Sequence, residues 1–248
     1  MRTAYGSDLA FIHQAGFNAV ATHAAQEIVA ALKKTGRKDA HVLDLGCGSG
    51  ELLREVTQAG FHGTGIDASP AFIKRARKAA PQAEFRLGSL HETPFPPCDA
   101  VSATGEVLNY MPEGRRKGPA LLPLFRRVAT ALEPGGLFLF DLIMPSPRPA
   151  LSGRSWRVND DPSGEGWAVL VHAEENTKAR LLKRQITAFR QKGKGWRRTD
   201  ECHVQYLYTR EEAGEALRHA GFRFRVARRY GTFDLLPRRL AFFARKEK

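Results

Sequence analysis

Cysteine is scarce in this chain. The three residues, Cys47, Cys98 and Cys202, are odd in number and far apart. Such a set builds no disulfide framework and points to a reducing compartment, here the cytoplasm. Zinc-ligand spacing is missing as well, so no metal is expected. Long apolar runs are also absent. None approaches the ~20 residues that cross a bilayer, and the opening Met1-Arg2-Thr3-Ala4-Tyr5-Gly6-Ser7-Asp8 has no stretch of the signal-peptide kind. The expectation is a soluble cytoplasmic protein with no membrane partner.

What is present is an ordinary globular composition. The 248 residues are 42% hydrophobic and 26% charged, enough for a packed core in one domain, 1–248, with an insertion. Acids are in deficit: 39 Lys and Arg stand against 26 Asp and Glu, a net charge of +13. The bases are scattered, densest at Arg115-Arg116-Lys117, from Lys192 to Arg198 and from Arg223 to Arg229. A basic surface is the simpler reading. A nucleic-acid partner or an anionic substrate is the second.

Residues 8–33 carry apolar positions at helical spacing, with Gly16 a break and Gly36 a stop. His41-Val42-Leu43-Asp44-Leu45 then reads as a buried parallel strand running into a glycine cluster. Further strands are expected at 63–67, 84–87, 99–103 and 137–141, the last entered through a turn at Gly135-Gly136. Between them lie helices at 51–59, from the Ser69 cap to Ala80, and at about 119–132. This alternation predicts a doubly wound α/β fold: a Rossmann-like, mostly parallel seven-stranded sheet with an antiparallel final strand. Ligands on such sheets bind outside the carboxyl ends of the strands.

After Pro145 the pattern changes. Pro145, Pro147 and Pro149 mark a loop. Strands are expected at 167–174, 181–190 and 196–208, the last two joined as a hairpin across Lys192-Gly193-Lys194-Gly195. Residues 146–208 thus form an inserted antiparallel β segment. Thr209 with Glu212 makes a capping box, whose helix stops at Gly221. Strands at 222–227 and 240–244 close the chain.

The glycines after the first strand stand at 46, 48 and 50, and position 51 is Glu. The dinucleotide fingerprint G-x-G-x-x-G therefore lacks its third glycine. Asp44, just before the loop, is an odd neighbour for a pyrophosphate and suits a cationic ligand. The run Asp44-Leu45-Gly46-Cys47-Gly48-Ser49-Gly50 resembles motif I of the class I methyltransferases, which bind S-adenosylmethionine. That resemblance implies close backbone approach of Gly46, Cys47, Gly48 and Gly50 to the cofactor. It places Asp44 near the methionine ammonium or its water network and Asp67, at the second strand's end, on the ribose hydroxyls. Ala68 then lies beside the adenine, with Ser89 and the Leu90 backbone N–H at its edge. Many relatives carry Asp where Ser89 stands.

The loop after strand four, Thr104-Gly105-Glu106-Val107-Leu108-Asn109-Tyr110-Met111, faces the sulfonium and the acceptor in that family. It lacks the N/D-P-P-Y/F run found in amino-methyltransferases of nucleic-acid bases, which weakens the nucleic-acid reading. Gly105 and Glu106 are expected at the cofactor, Glu106 alternatively as a helix cap. Asn109 and Tyr110 are expected to face the acceptor. The N-terminal segment 1–36 resembles the leading helical lid of bacterial small-molecule methyltransferases, which puts Tyr5 and His13 at the ligand. Trp156, Trp167, His172, His203 and Tyr206 come from the insertion, and His203 is the candidate general base. The sequence points to an enzyme moving a methyl group to O or N of a small-molecule acceptor. An RNA-directed enzyme and a non-catalytic cofactor-binding protein are the alternatives. The acceptor and the oligomeric state are not written in these motifs.

Overall fold

The computed structural model describes residues 5–111, 118, 120–147, 152–161 and 165–247. The first elements are α1 (Ser7–Gly16), α2 (Ala19–Lys33), β1 (His41–Leu45), α3 (Glu51–Gln58), β2 (His62–Asp67), α4 (Pro70–Ala79), β3 (Glu84–Leu87) and β4 (Cys98–Ala103). After a 3-10 turn at Val107–Asn109 come α5 (Leu121–Ala131), β5 (Leu132–Ile143), β6 (Ser152–Asn159), β7 (Trp167–Asn176), β8 (Leu181–Lys192) and β9 (Gly195–Tyr206). The chain closes with α6 (Arg210–His219), β10 (Phe222–Ala227), β11 (Arg229–Tyr230), β12 (Phe233–Asp234) and β13 (Arg239–Lys246).

The main sheet has seven strands in the order β10-β13-β5-β4-β1-β2-β3. Strands β1 to β5 are mutually parallel, and β13 runs antiparallel to both β5 and β10. The two faces carry separate cores. Phe125, Phe138, Phe140 and Phe242 fill the α5–α6 side, and Ile28, Leu53, Ile73 and Leu139 the α2–α4 side. Strand order reverses between β1 and β4, which opens a crevice at their carboxyl ends.

The insertion is a four-stranded antiparallel sheet, β6-β7-β8-β9. Its β8–β9 hairpin turns at Gly193, whose φ of +58° fits the first loop position of a tight hairpin. Strand β6 was not expected. It pairs along its whole length with β7, yet all eight of its residues are exposed, so no apolar alternation announces it. Gly135 and Gly136 lie inside β5, not before it; the strand starts at Leu132, opposite Cys98, with an irregular register between Cys98 and Ala100.

Segment 1–36 divides in two. Helix α2 is a layer of the main fold, with Ala24, Ala25, Ile28 and Leu32 packed on the sheet. Only α1 lies on the insertion, where Leu9 and Ile12 meet Trp167, Val169, Ile186 and Ala188. Gly16 ends α1 because a Cβ there would come within 2.7 Å of the Trp167 ring. Asp8, buried at the start of α1, pairs with Arg197 of β9 and Arg190 of β8.

Candidate functional site

The glycine loop leaves β1 with φ values of +69° at Gly46, +53° at Gly48 and +82° at Gly50. Four of its backbone donors are engaged internally. Gly46 and Cys47 both donate to the Ile66 carbonyl, Gly50 donates to the Cys47 carbonyl, and Gly48 donates to Asp67 Oδ2 at 3.0 Å. A phosphate cradle needs such N–H groups free. This loop instead presents glycine backbone and carboxylate oxygens.

Two acids stand under it. Asp44 is 3% exposed and accepts from Ser102 Oγ at 2.7 Å. Burial first, then the nearby Asp67 and Glu51 charges, push its carboxyl up to about 7. Asp67 accepts Ser69 N at 2.7 Å as well as Gly48 N, and burial raises it to about 6 despite those donors. Each carboxylate keeps acceptor capacity beyond these bonds. Ala68, just after Asp67, is exposed. Ser89 Oγ accepts the His91 N–H at 3.2 Å, and the Leu90 carbonyl accepts from Arg127 at 2.8 Å. The Cys47 thiol is buried and pushed well up by that burial, so it shapes the loop and is not a nucleophile.

The facing wall is the loop after β4. Asp141 of β5 folds it by accepting the Gly105 and Glu106 N–H groups, both at 2.8 Å. Gly105 has φ +76° and Glu106 φ +63°. A Cβ on either Gly48 or Gly105 would meet nothing within 4 Å, so both sides of the crevice offer bare backbone to open space. Glu106 corrects two expectations. It caps no helix, since only a 3-10 turn follows and its side chain makes no capping bond. Its carboxylate is instead committed to the protein: Oε1 pairs with Arg239, and Oε2 accepts from Arg184 at 2.9 Å and Gln205 at 3.0 Å. Burial alone would raise its pKa, but Arg184 and Arg239 outweigh it and hold the group low.

Asn109 is a second correction. It is 0% exposed, donates to the Ile143 and Tyr206 carbonyls at 3.1 and 2.7 Å, and accepts Ile143 N at 3.0 Å. Its amide bridges β5 and β9 and has nothing to offer an acceptor molecule.

Tyr110 does reach the crevice. An antiparallel bridge to Gln205 and the Met111 N–H to Val204 carbonyl bond lay this loop along β9. Tyr110 Oη is thereby 3.3 Å from His203 Nδ1 and 2.9 Å from Tyr5 Oη. His203 Nε2 lies 2.8 Å from Glu201 Oε2. Burial raises both tyrosines. His13 packs edge-on to Tyr5 and Phe72; burial, then His203, push it down to about 4, so it is neutral at pH 7. The structure thus gathers Tyr5, His13, Tyr110 and His203 into one cluster. Of the other insertion residues, Trp167 packs on α1, Trp156 is exposed, His172 bonds Ser152, and Tyr206 takes a bond from Arg180. Sequence reading missed Glu201, Arg184 and Asp141. The available signal was Glu-x-His at 201–203, the spacing that sets two side chains on one face of a strand.

These walls fit S-adenosylmethionine by their chemistry: carboxylates for a cation and a ribose diol, open space at Gly48 and Gly105, and four loop N–H groups already spent on the protein itself. Comparison with known proteins agrees. Residues 42–136 match the family described as a methyltransferase domain. A methyltransferase-family protein of Geobacillus sp. (strain WCH70) is 30% identical over 203 residues, covering 77% of each chain. The protein YqeM of Bacillus subtilis (strain 168) is 27% identical over 201 residues, 79% of this chain and 76% of its own. Among solved structures, DesVI of Streptomyces venezuelae superposes with a TM-score of 0.78 at 20% identity, over 98% of this chain and 100% of that one. The sugar N-methyltransferase KedS8 of Streptoalloteichus sp. ATCC 53650 gives 0.77 at 18% identity, over 100% and 98%. The chain belongs to the class I S-adenosylmethionine-dependent methyltransferases, and S-adenosylmethionine is its cofactor.

Proposed function

We propose that this methyltransferase acts on O or N of a small-molecule acceptor held beneath α1 and the β6–β9 sheet. The observation that carries the reading is the chain of hydrogen bonds Tyr5–Tyr110–His203, which draws together three separate segments. When bound, S-adenosylmethionine supplies a methyl group already activated on a sulfonium. The chain's own residues have to align, exclude water and, for a hydroxyl or ammonium acceptor, remove a proton.

In this reading Asp67 holds the ribose hydroxyls and Asp44 answers the ammonium. Gly46, Cys47, Gly48, Gly50 and Gly105 give the backbone surface, and Ala68, Ser89 and Leu90 flank the adenine. Tyr5 and His13 cover the ligand from α1. His203 accepts the acceptor's proton by way of Tyr5 and then Tyr110. The KedS8 likeness supports a small polar acceptor.

The test is calorimetry followed by an acceptor screen. S-adenosylmethionine should bind the wild-type protein, and Asp67→Ala should weaken it about ten- to hundredfold, the loss expected for charge-assisted hydrogen bonds. Unchanged affinity sinks the ribose assignment. Release of S-adenosylhomocysteine with small amines or alcohols should fall in His203→Ala; equal turnover removes the base.

A further inference from the structure

We infer that Glu201 is a positioning residue that couples docking of the N-terminal segment to the orientation of His203. The inference rests on the reading above that His203 serves the acceptor side.

Glu201 and His203 are two apart on β9 and share the face that covers the crevice. The Glu201 carboxylate takes three donors. Oε1 accepts Gly6 N at 2.8 Å, and Oε2 accepts Tyr5 N at 2.7 Å and His203 Nε2 at 2.8 Å. Two of these are backbone donors at the start of α1, where Gly6 is the cap residue. An acid there satisfies N–H groups that have no partner within the helix and meets its positive end.

The third bond fixes a proton. A carboxylate held low by its donors only accepts, so the neutral His203 ring carries its hydrogen on Nε2. Nδ1 then presents a lone pair to Tyr110 Oη, 3.3 Å away. Tyr110 donates to His203, Tyr5 donates to Tyr110, and a lone pair of Tyr5 Oη is left toward the crevice. Reversal of the tautomer would put a donor against Tyr110 and end the path. The other polar and charged groups facing His203 are Tyr5 and His13 from the N-terminal segment, Tyr110 with Glu106 from the loop after β4, and Arg184 directly across on β8. Among these described neighbours only Glu201 reaches Nε2.

The backbone at Tyr5 adds an independent sign of function. Its φ is +65°, the left-handed region that a bulky residue avoids. Strain of this kind persists where several contacts hold it. Here Glu201 takes the Tyr5 N–H, and Ser69 Oγ donates to the Tyr5 carbonyl at 2.7 Å. The two grips come from the insertion and from the start of α4, so Tyr5 spans the crevice only while both hold. One carboxylate therefore sets the lid, through Tyr5 and Gly6, and the base, through Nε2. Lifting the lid removes two of the three donors that hold the Glu201 carboxylate in place for Nε2.

The experiment is imidazole 15N NMR on the full chain, with amide hydrogen exchange over residues 5–16. In the wild type His203 should show a single Nε2–H tautomer; an Nδ1–H tautomer overturns the proposal without any variant being made. Glu201→Gln should mix the tautomers and speed exchange at Tyr5 and Gly6 about tenfold or more, the loss expected for hydrogen bonds to a charged group. A change in only one of the two readouts refutes the coupling, since a plain helix cap would alter exchange alone. Neither readout uses an acceptor. Full methyl transfer by His203→Ala would thus remove the base reading while leaving the tautomer and exchange results to judge Glu201.

Discussion

Replacing Asp44 by asparagine should stabilise the cofactor-free protein at neutral pH and do nothing for it in acid. The carboxyl is 3% exposed and titrates at about 7 against an ordinary 3.8. For an acid whose pKa is raised by folding, the native state holds a proton that the unfolded chain has already released. Stability is therefore full below about 3.8 and declines as pH rises to about 7. At ~1.36 kcal/mol per pH unit the displacement from 3.8 to about 7 amounts to roughly 4 kcal/mol of charge-burial cost at pH 8. Asparagine keeps the shape and can still accept from Ser102 Oγ, so most of this cost is removed. At ~2–4 °C per kcal/mol for a chain of this size, Tm should rise by about 10 °C at pH 8. Denaturant melts of both proteins between pH 4 and pH 8.5 measure it. Curves that diverge with rising pH support the reasoning; a constant offset refutes it. On the proposed assignment of Asp44 to the ammonium, saturating S-adenosylmethionine should close the gap by stabilising the wild type more than the variant.

Two further outcomes follow from the crevice walls. Glu106→Gln leaves the partly buried Arg184 and Arg239 with no full counter-charge, and should cost about 2 kcal/mol in denaturant unfolding; a loss below ~1 kcal/mol would show the pair to be solvated. Gly46→Ala forces a Cβ to within 2.1 Å of Val107 at a φ of +69° and should destabilise the fold strongly, whereas Gly48→Ala bears only the strain of its φ of +53° in open space and should cost less stability while weakening S-adenosylmethionine binding. Equal melting temperatures for the two variants would contradict the packing.

The parallel strands were legible because each is a short apolar run ending in glycine or an acid, and the caps because their donors are local. Ser69 takes the Phe72 N–H at 3.3 Å, and Thr209 and Glu212 bond reciprocally at 3.2 and 2.9 Å. Strand β6 was hidden, since an exposed edge strand need not alternate. Within the site, Asn109 read as substrate-facing because an amide that tethers two strands has the same chemistry as one that binds a ligand. Glu201 went unseen for the opposite reason. Its partners Tyr5 and Gly6 lie 196 and 195 residues away, and only the fold makes them neighbours. The same holds for Glu106, whose two arginines arrive from β8 and β13.

The internal engagement of the glycine-loop amides has a consequence for selectivity in a crowded cell. ATP, NAD and related nucleotides share the adenosine half of S-adenosylmethionine and abound in solution. A loop with four N–H groups already serving Ile66, Cys47 and Asp67 gives their phosphates fewer anchors, and Asp44 with Asp67 repels them once ionised. Discrimination against the most common adenosine compounds thus comes from hydrogen bonds the protein makes to itself.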